Sequence, residues 1–348
     1  MPNTNTHVLS GIRVLDFTRN LAGPSCTRML VEMGAEVIKV EQAPFGDRTR
    51  GAADGPGRSL LFVQQNRGKK SVCVNFRDPK GIALIEQLIP HCDVVMESFR
   101  PGVFAEMGFG YEQVEQIKPD IILCSLSALG QTGPLAHKPG YDYIAQAYAG
   151  VTSMIGEPGE APYIPCVGLG DVSTGVHAAL AIVAALRHRD QTGEGQHLDV
   201  SLLDAYYHYH ELNVNTYSAS GGKIKPTRNG RHMTYLCPAG VFRTKDGDLV
   251  MMAHGQHWKD LCRAMDRNDL ITDERYKNDR ARLAIKDEVV ALIESWLQRF
   301  DDRDSAVEYL ERFDIPVGPV LSVAETVSHP HLRARRTVRT IKDDVLGE

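Results

Sequence analysis

Residues 12–41, IRVLDFTRNLAGPSCTRMLVEMGAEVIKVE, decide the fold class. Ile12 to Phe17 is a short apolar run that contains one carboxylate, and it predicts a buried strand. A turn follows, and then a helix from about Ser25 to Met33, which Gly34 ends because glycine readily takes the left-handed conformation that closes helices. Glu36 to Glu41 predicts the next strand. This strand–helix–strand unit predicts a parallel sheet with a right-handed crossover.

The same alternation continues through the first third of the chain. Ser71 to Phe76, Asp93 to Met96 and Ile121 to Leu126 predict further strands. Asp78 with Pro79 predicts the start of a helix that reaches about Ile89. The fold class is therefore α/β, with a Rossmann-like large domain built on a doubly wound parallel sheet. The first turn, TRNLAGP, is not GxGxxG, so no dinucleotide site is expected.

The composition changes near residue 218, where SASGGKIKPTRNGR predicts a linker. Beyond it, Phe242 to Met252 predicts a β-hairpin, and helices are expected at about 256–266, 285–300 and 303–313. The predicted domains are a large domain at 1–217, a linker or flap at 218–231, a small α+β domain at 232–316 and a return segment at 317–348.

The bulk composition excludes several classes of protein. A net charge of -5 argues against general nucleic-acid binding, which needs a basic face. The seven cysteines are scattered without a CxxC, so neither a disulfide framework nor a metal site is indicated. The N-terminus lacks the apolar core of a signal peptide, and no run approaches about 18 apolar residues, so no membrane association is expected. These features favour a cytoplasmic location.

A basic segment follows the second strand, between residues 42 and 70. It contains Arg48, Arg50, Arg67, Lys69 and Lys70. Such a segment is either a solvated loop or a mobile stretch whose cations meet phosphates. The sequence leaves both interpretations open.

The stretch 167–189, VGLGDVSTGVHAALAIVAALRHR, places one acid between a glycine-rich turn and a long apolar helix. Taken alone, Asp171 is interpreted as a helix N-cap, since aspartate is preferred there. His208 and His210 are spaced so that they lie on different faces of a helix, which disfavours a metal site.

Eight motifs in collinear order span nearly the whole chain. After residues 12–41 come GDRTR, NRGKKSVCVNF, DVVMESFRPGVFAEMGFGYE, GQTGP, GYDYIAQA, GLGDVSTGVHAALAIVAALRHRDQTGEGQHLDVSLLDA and DIPVGPVLSV. Together they resemble the class III CoA-transferases, a superfamily that includes formyl-CoA transferase, carnitine CoA-transferase and α-methylacyl-CoA racemase.

The resemblance implies an interlocked homodimer, in which each subunit forms a ring threaded through its partner. Family members usually continue for some tens of residues that return to the large domain. This chain ends at VLGE, so its return segment is expected to be shorter. The glycines of the segment 218–231 lie where the family carries a flexible flap, and a plain linker is equally consistent with them.

The resemblance also implies the site residues. The family's nucleophilic aspartate matches Asp171. The implied CoA contacts are Leu21, Ala22, Gln42, Val74, Arg77, Ser98, Phe99, Arg100, Tyr141 and Asp142. Gln42 and Glu106 stand where formyl-CoA transferase has arginines. The phosphate contacts are therefore expected to pass to Arg48, Arg50, Arg67 or Arg100.

The implied reaction is CoA transfer from an acyl-CoA to a carboxylic acid, with no prosthetic group. An ionised Asp171 would attack the thioester and pass through an anhydride and an aspartyl-CoA thioester. Backbone N–H groups beside the flanking glycines would bind the oxyanions. Leu21 and Ala52 replace a glutamine and a tryptophan of formyl-CoA transferase, which favours a larger or more apolar acid than oxalate. Carnitine-type and dicarboxylic acids remain open.

Two alternatives accompany this interpretation. A racemase needs a base where this chain has Tyr141, and a tyrosine with a pKa of about 10 is a poor base. The other alternative is a non-catalytic CoA-binding protein, against which the presence of Asp171 argues.

Overall fold

The computed structural model describes residues 7–51, 59–210, 212–342 and 347. In this part of the chain the strands are β1 Arg13–Asp16, β2 Glu36–Gln42, β3 Lys70–Val74, β4 Val94–Glu97, β5 Ile122–Ser127, β6 Gln196–Ser201, β7 Ala239–Arg243, β8 Asp248–Met252 and β9 Val317–Pro319. The helices are α1 Ala22–Glu32, α2 Leu60–Asn66, α3 Pro79–Leu88, α4 Val103–Glu106, α5 Tyr111–Ile117, α6 Asp142–Tyr148, α7 Leu169–Thr192, α8 Leu202–Tyr207, α9 Asn213–Ala219, α10 His257–Ala264, α11 Asp269–Thr272, α12 Asp279–Ala284, α13 Lys286–Leu297, α14 Arg303–Glu311, α15 Val323–Ser328 and α16 Pro330–Ala334.

The larger of two compact units contains a six-stranded sheet with the order β3-β2-β1-β4-β5-β6. Every neighbouring pair is parallel, and β1 pairs with β2 on one side and β4 on the other. The predicted α/β class and parallel sheet are confirmed. The strand order reverses direction between β1 and β4, and in such sheets the crevice outside the strand ends at this point is where ligands bind.

Apolar side chains cover both faces of this sheet. One cluster joins the sheet to α1 and α7, and a second lies between the sheet and α3, α4 and α5. Helix α7 can approach α1 closely because residue 175 is glycine. A Cβ there would lie 2.8 Å from the carbonyl oxygen of Ala22.

Helix α7 is long and apolar enough, by length and composition alone, to cross a membrane, and it is the only such helix in the described ranges. The sequence expectation concerned uninterrupted apolar runs, and the run in this helix covers only 178–186, between His177 and Arg187. Its buried residues, among them Ala178, Ile182 and Leu186, belong to the apolar cluster against the sheet. A core helix of a soluble protein passes the same test, and α7 packs as one.

The smaller unit contains 154–162 and 227–341 and has its own antiparallel sheet, in the order β7-β8-β9. The predicted hairpin is present as β7 and β8. Val317 pairs with Met251, so the chain after residue 316 adds a third strand to this sheet. The predicted domain division had placed these residues in a separate return segment, and it had placed 154–162 in the large domain.

Two helices lie where irregular chain or a domain end was expected. Helix α6 lies within the stretch from Ser127 to Gly170, whose many glycines and prolines favour a loop. Helix α9 crosses the predicted boundary between the large domain and the linker, since it ends at Ala219 and the linker was placed at 218–231. Both are only seven residues long. Segments this short carry too little periodicity to distinguish a helix from a loop.

A buried polar network lies beneath the turn that follows β1. Asp16 accepts hydrogen bonds from the hydroxyls of Thr18 and Thr27, and it pairs with Lys69 at 3.2 Å. Lys39 binds the carbonyl of Thr18 at 2.7 Å. The Asp16 carboxylate and both ammonium groups are almost fully buried, and the ammonium of Lys39 also pairs with Asp47 at 2.8 Å. Because each buried charge has a partner, the network holds the turn in place. Lys69 is therefore an internal cation, and the interpretations of a solvated or phosphate-binding residue are both wrong for it.

Replacing Lys69 with methionine should lower the free energy of unfolding by roughly 3 kcal/mol, because it leaves the buried Asp16 carboxylate undercompensated. Lys70→Met is the matched control, since Lys70 is exposed and pairs with Glu36 at the surface. Urea denaturation of both variants measures the difference. Equal losses would show that the buried pair does not stabilise the turn.

Candidate active site

A cavity of about 240 Å³ opens where the strand order reverses. The loops that follow β1, β4 and β5 form its walls, together with the segment before α6 and the start of α7. The residues that line the cavity include Arg19, Leu21, Ala22, Ser98, Phe99, Arg100, Lys138, Tyr141 and Asp171. The site thus lies at the position that the sheet topology favours.

Asp171 lies in the first turn of α7, three residues after the N-cap Gly168. The interpretation of Asp171 as an N-cap is therefore wrong, because the helix begins at Leu169. Among the described residues, none donates a hydrogen bond to its half-buried carboxylate. A carboxylate at a helix N-terminus is favoured by the helix dipole.

The start of α7 is bound by a second acid, Asp142, the first residue of α6. One oxygen of Asp142 accepts the N–H of Asp171 at 3.1 Å, and the other accepts the hydroxyl of Tyr206. Tyr206 in turn accepts the N–H of Gly170 at 2.9 Å. Asp142 and Tyr206 are both buried. Asp142 thus holds the first turn of α7 in place, and its role as a CoA contact stays a prediction.

Burial raises the pKa of Asp171, and the nearby negative charge of Asp142 raises it further, to about 7. Loss of the Asp171 proton is therefore less favourable than for an exposed aspartate. The sequence argument assumed an already ionised carboxylate. The difference arises because the side chain is partly desolvated and has no donor to stabilise its charge.

The backbone amides beside Asp171 are already engaged. The N–H groups of Leu169, Gly170 and Asp171 donate to Val167, Tyr206 and Asp142 respectively. The flanking glycines were expected to expose oxyanion donors. At these three positions the donors are used internally instead.

The predicted CoA contacts fall into two groups. Leu21, Ala22, Ser98, Phe99, Arg100 and Tyr141 line the cavity. Gln42, Val74 and Arg77 do not. Val74 is buried in the core, Gln42 binds the carbonyl of Ala43, and Arg77 is exposed beyond β3.

Most of the basic segment is paired within the fold. Arg50 forms two 2.7 Å bonds to Glu41, and Arg67 and Lys70 pair with Glu32 and Glu36. Of the four arginines proposed for phosphates, Arg48 and Arg100 have no ion pair among the described residues. Ala52, expected to shape the acid site, lies outside the described residues.

The sequence analysis missed two cations of the cavity, Arg19 and Lys138. The Arg19 guanidinium lies over the ring of Phe99, 4.9 Å from its centroid, and has no ion pair in the described part of the chain. Burial lowers the pKa of Arg19, and the neighbouring Arg48 lowers it further. Lys138 donates to the hydroxyl of Tyr148 at 3.2 Å. In the sequence, only their positions, just after β1 and shortly before α6, point to the cavity. Those positions indicate a site only once the order of the strands in the sheet is known.

The comparisons with known proteins agree on one family. The family model described as CoA-transferase family III matches residues 9–348. Succinate–glutarate CoA-transferase of Agrobacterium fabrum is 37% identical, over 96% of this chain and 85% of its own. Mouse succinyl-CoA:glutarate CoA-transferase is 36% identical, over 98% and 78%. Acetyl-CoA:oxalate CoA-transferase of Acetobacter aceti is 36% identical, over 93% and 84%.

A solved structure agrees with this sequence similarity. A CAIB/BAIF family protein from Brucella suis superposes with a TM-score of 0.86 at 32% identity, covering 99% of this chain and 94% of its own.

Replacing Asp142 with asparagine should lower the pKa of Asp171, because it removes the negative charge that adds to the effect of burial. The pKa should stay above the ordinary 3.8, since burial remains. Carbon-13 NMR of carboxyl-labelled aspartate follows the titration, and Asp171→Asn identifies the signal. Asp190→Asn, at the exposed end of α7, is the control. An unchanged titration in Asp142→Asn would contradict the electrostatic coupling.

Proposed function

The chain belongs to CoA-transferase family III, and on that premise we propose that it transfers CoA from an acyl-CoA to a carboxylic acid through covalent intermediates on Asp171. The observation that carries the proposal is the Asp171 carboxylate itself. It lies in the cavity at the strand-order reversal, accepts no hydrogen bond from the described residues, and has a pKa of about 7. Such a carboxylate is more nucleophilic than a solvated one.

The proposed steps balance without an added reagent. An Asp171 oxygen attacks the thioester carbon, the C–S bond breaks, and an acyl-aspartyl anhydride and CoA thiolate form. The thiolate attacks the Asp171 carbonyl, which releases the first acid and leaves an aspartyl-CoA thioester. The acceptor carboxylate then attacks the carbonyl of this thioester, the C–S bond breaks, and a second anhydride and CoA thiolate form. The thiolate finally attacks the acceptor's carbonyl and frees Asp171.

Proton exchange at the carbon next to the thioester is the second candidate reaction. The raised pKa of Asp171 also suits a general base, which works best near the operating pH. A racemase would need a partner base at the position of Tyr141, which is a 75% exposed phenol. Transfer is therefore favoured. A non-catalytic CoA-binding role has no support, since the relatives are named as transferases.

A dicarboxylic acid is the acceptor class that we infer. The relatives above are named for succinate, glutarate and oxalate, all dicarboxylic acids. One carboxylate must react at Asp171, so the other needs a cation, and Arg19 is a partly desolvated cation without an ion pair. The cavity is smaller than the roughly 300–1,000 Å³ of sites that enclose a whole ligand, so the nucleotide of CoA would lie outside it.

An interlocked homodimer is also part of the proposal. Leu169, Val172, Val176 and Leu180 form an exposed apolar stripe along α7, with Leu180 68% exposed. A stripe of this kind on a central helix suits a face covered by a second copy. A monomeric mass by light scattering would contradict the dimer. The cytoplasmic location inferred from the cysteine pattern stays a prediction.

Incubation with an acyl-CoA and hydroxylamine should convert Asp171 to a hydroxamate, because hydroxylamine captures acyl-aspartyl and aspartyl-CoA intermediates. Mass spectrometry of the peptide locates the modification. Asp171→Asn should form none and lose transfer activity, whereas Asp190→Asn on the same helix should match the wild type. Transfer activity in Asp171→Asn would overturn the mechanism. Deuterium uptake next to the thioester without a hydroxamate would indicate racemisation.

Arg19→Met should raise the KM for glutarate by about 10- to 100-fold, the cost of losing a hydrogen bond to a charged group. The KM for pentanoate, which has the same length but one carboxylate, should change little. Arg77→Met, outside the cavity, is the matched control. Equal losses with both acids would contradict the assignment. A rise confined to the KM of the acyl-CoA would assign Arg19 to CoA phosphates instead.

A further inference from the structure

Tyr206 is a buried phenol at the meeting point of α6, α7 and α8. Its side chain is 0% exposed. Its hydroxyl donates to Asp142 and accepts the N–H of Gly170 at 2.9 Å and the side-chain amide of Gln146 at 3.0 Å. The single donor and the acceptor capacity of a phenol are thus all used.

These bonds lead directly to the backbone of the nucleophile. Tyr206 binds one oxygen of Asp142, and the other oxygen binds the N–H of Asp171 at 3.1 Å. Tyr206 also binds the preceding amide, at Gly170. The phenol on α8 therefore holds one amide of the first turn of α7 directly, at Gly170, and the next one, at Asp171, through Asp142.

We propose that Tyr206 is a positioning residue for the transfer reaction: it holds Asp142 and the Gly170 amide in place, and so fixes the turn that presents the free Asp171 carboxylate to the cavity. The inference rests on the proposed role of Asp171 as the nucleophile. Tyr206 itself touches no reacting atom.

The space around Gly170 supports this role. A Cβ on residue 170 would lie 2.2 Å from Cε2 of Tyr206 and 2.6 Å from the Asp142 oxygen that accepts the phenol. Only a residue without a side chain lets the ring reach the amide. The first turn of α7 and the phenol are therefore fitted to each other.

Tyr206 also sets the charge around the nucleophile. Asp142 is the charged neighbour that adds to burial in raising the pKa of Asp171. The other titratable groups that line the cavity are Lys138 and Tyr141, from the segment before α6, and Arg19 and Arg100, from the loops after β1 and β4. Without its bond to Tyr206, the Asp142 carboxylate is free to turn away from the Asp171 amide. The ionisation of Asp171 should then shift to lower pH.

The test is the pH dependence of transfer by Tyr206→Phe. Its plateau kcat should fall by roughly 10- to 100-fold, the usual effect of removing a supporting hydrogen bond behind a reactive group. The acidic limb of kcat/KM, which reports the ionisation of Asp171, should move to lower pH. Both changes are measured on protein whose folded fraction is established by circular dichroism.

Gln146→Met is the matched control. It removes another buried partner of the same hydroxyl but leaves both Asp142 and the Gly170 amide bound. It should lower the Tm while keeping the acidic limb in place and the plateau within about twofold of wild type, since those two bonds remain. If Tyr206 contributed only to packing, the plateau kcat and the acidic limb would change to the same extent in Tyr206→Phe and Gln146→Met.

If Tyr206→Phe folds poorly, the double variant Tyr206→Phe with Gln146→Leu takes its place in the test. Removing both polar partners leaves fewer buried groups without a hydrogen bond, so it should fold better than Tyr206→Phe alone. It should still show the lowered plateau and the shifted limb. A wild-type plateau and limb in a folded variant lacking the hydroxyl would overturn the inference.

The two proposals fail in different ways. If Asp171 is not the nucleophile, the wild type forms no hydroxamate with acyl-CoA and hydroxylamine. If only the role of Tyr206 is wrong, the wild type forms the hydroxamate and Tyr206→Phe forms it at the same rate.

Discussion

A buried carboxylate needs hydrogen-bond donors, and this requirement at Asp142 organises the candidate site. The fold supplies the Tyr206 hydroxyl and the Asp171 amide as its donors. The hydrogen bond that satisfies Asp142 therefore also fixes the backbone of Asp171. The first acid accepts hydrogen bonds on both oxygens, whereas the second accepts none from the described residues, and burial raises its pKa. Two aspartates of one site thus take different roles from their surroundings alone.

A second buried network supports the wall of the cavity that the turn after β1 forms. Asp16, Lys39 and Lys69 hold the turn after β1, whose next residues carry Arg19 and Leu21 into the cavity. Asn20, between them, has a positive φ of 66°, a conformation that costs free energy outside glycine. A rigid base allows that strained turn to persist. Both walls therefore rest on buried polar groups that do not line the cavity.

The sequence predicts what depends on local pattern. The unit from residue 12 to 41 indicated the parallel sheet because strand, helix and turn signals there are consecutive, and the motif order indicated Asp171. It could not distinguish Lys69 from its exposed neighbour Lys70, since burial depends on residues distant in the chain. The role of Tyr206 could not be predicted from the sequence for the same reason, because its partners Asp142 and Gly170 are 64 and 36 residues away. The strand at Val317 was missed because three residues show no periodicity.

The missing side chain at Gly170 restricts the order in which this site can diverge. A methyl group cannot be added at residue 170 while the ring of Tyr206 occupies the same space. A smaller residue at 206 can be accepted first, after which position 170 is free to vary. Once 170 carries a side chain, a return to tyrosine at 206 is blocked. The residue present at one of these two positions therefore limits which residues the other can accept.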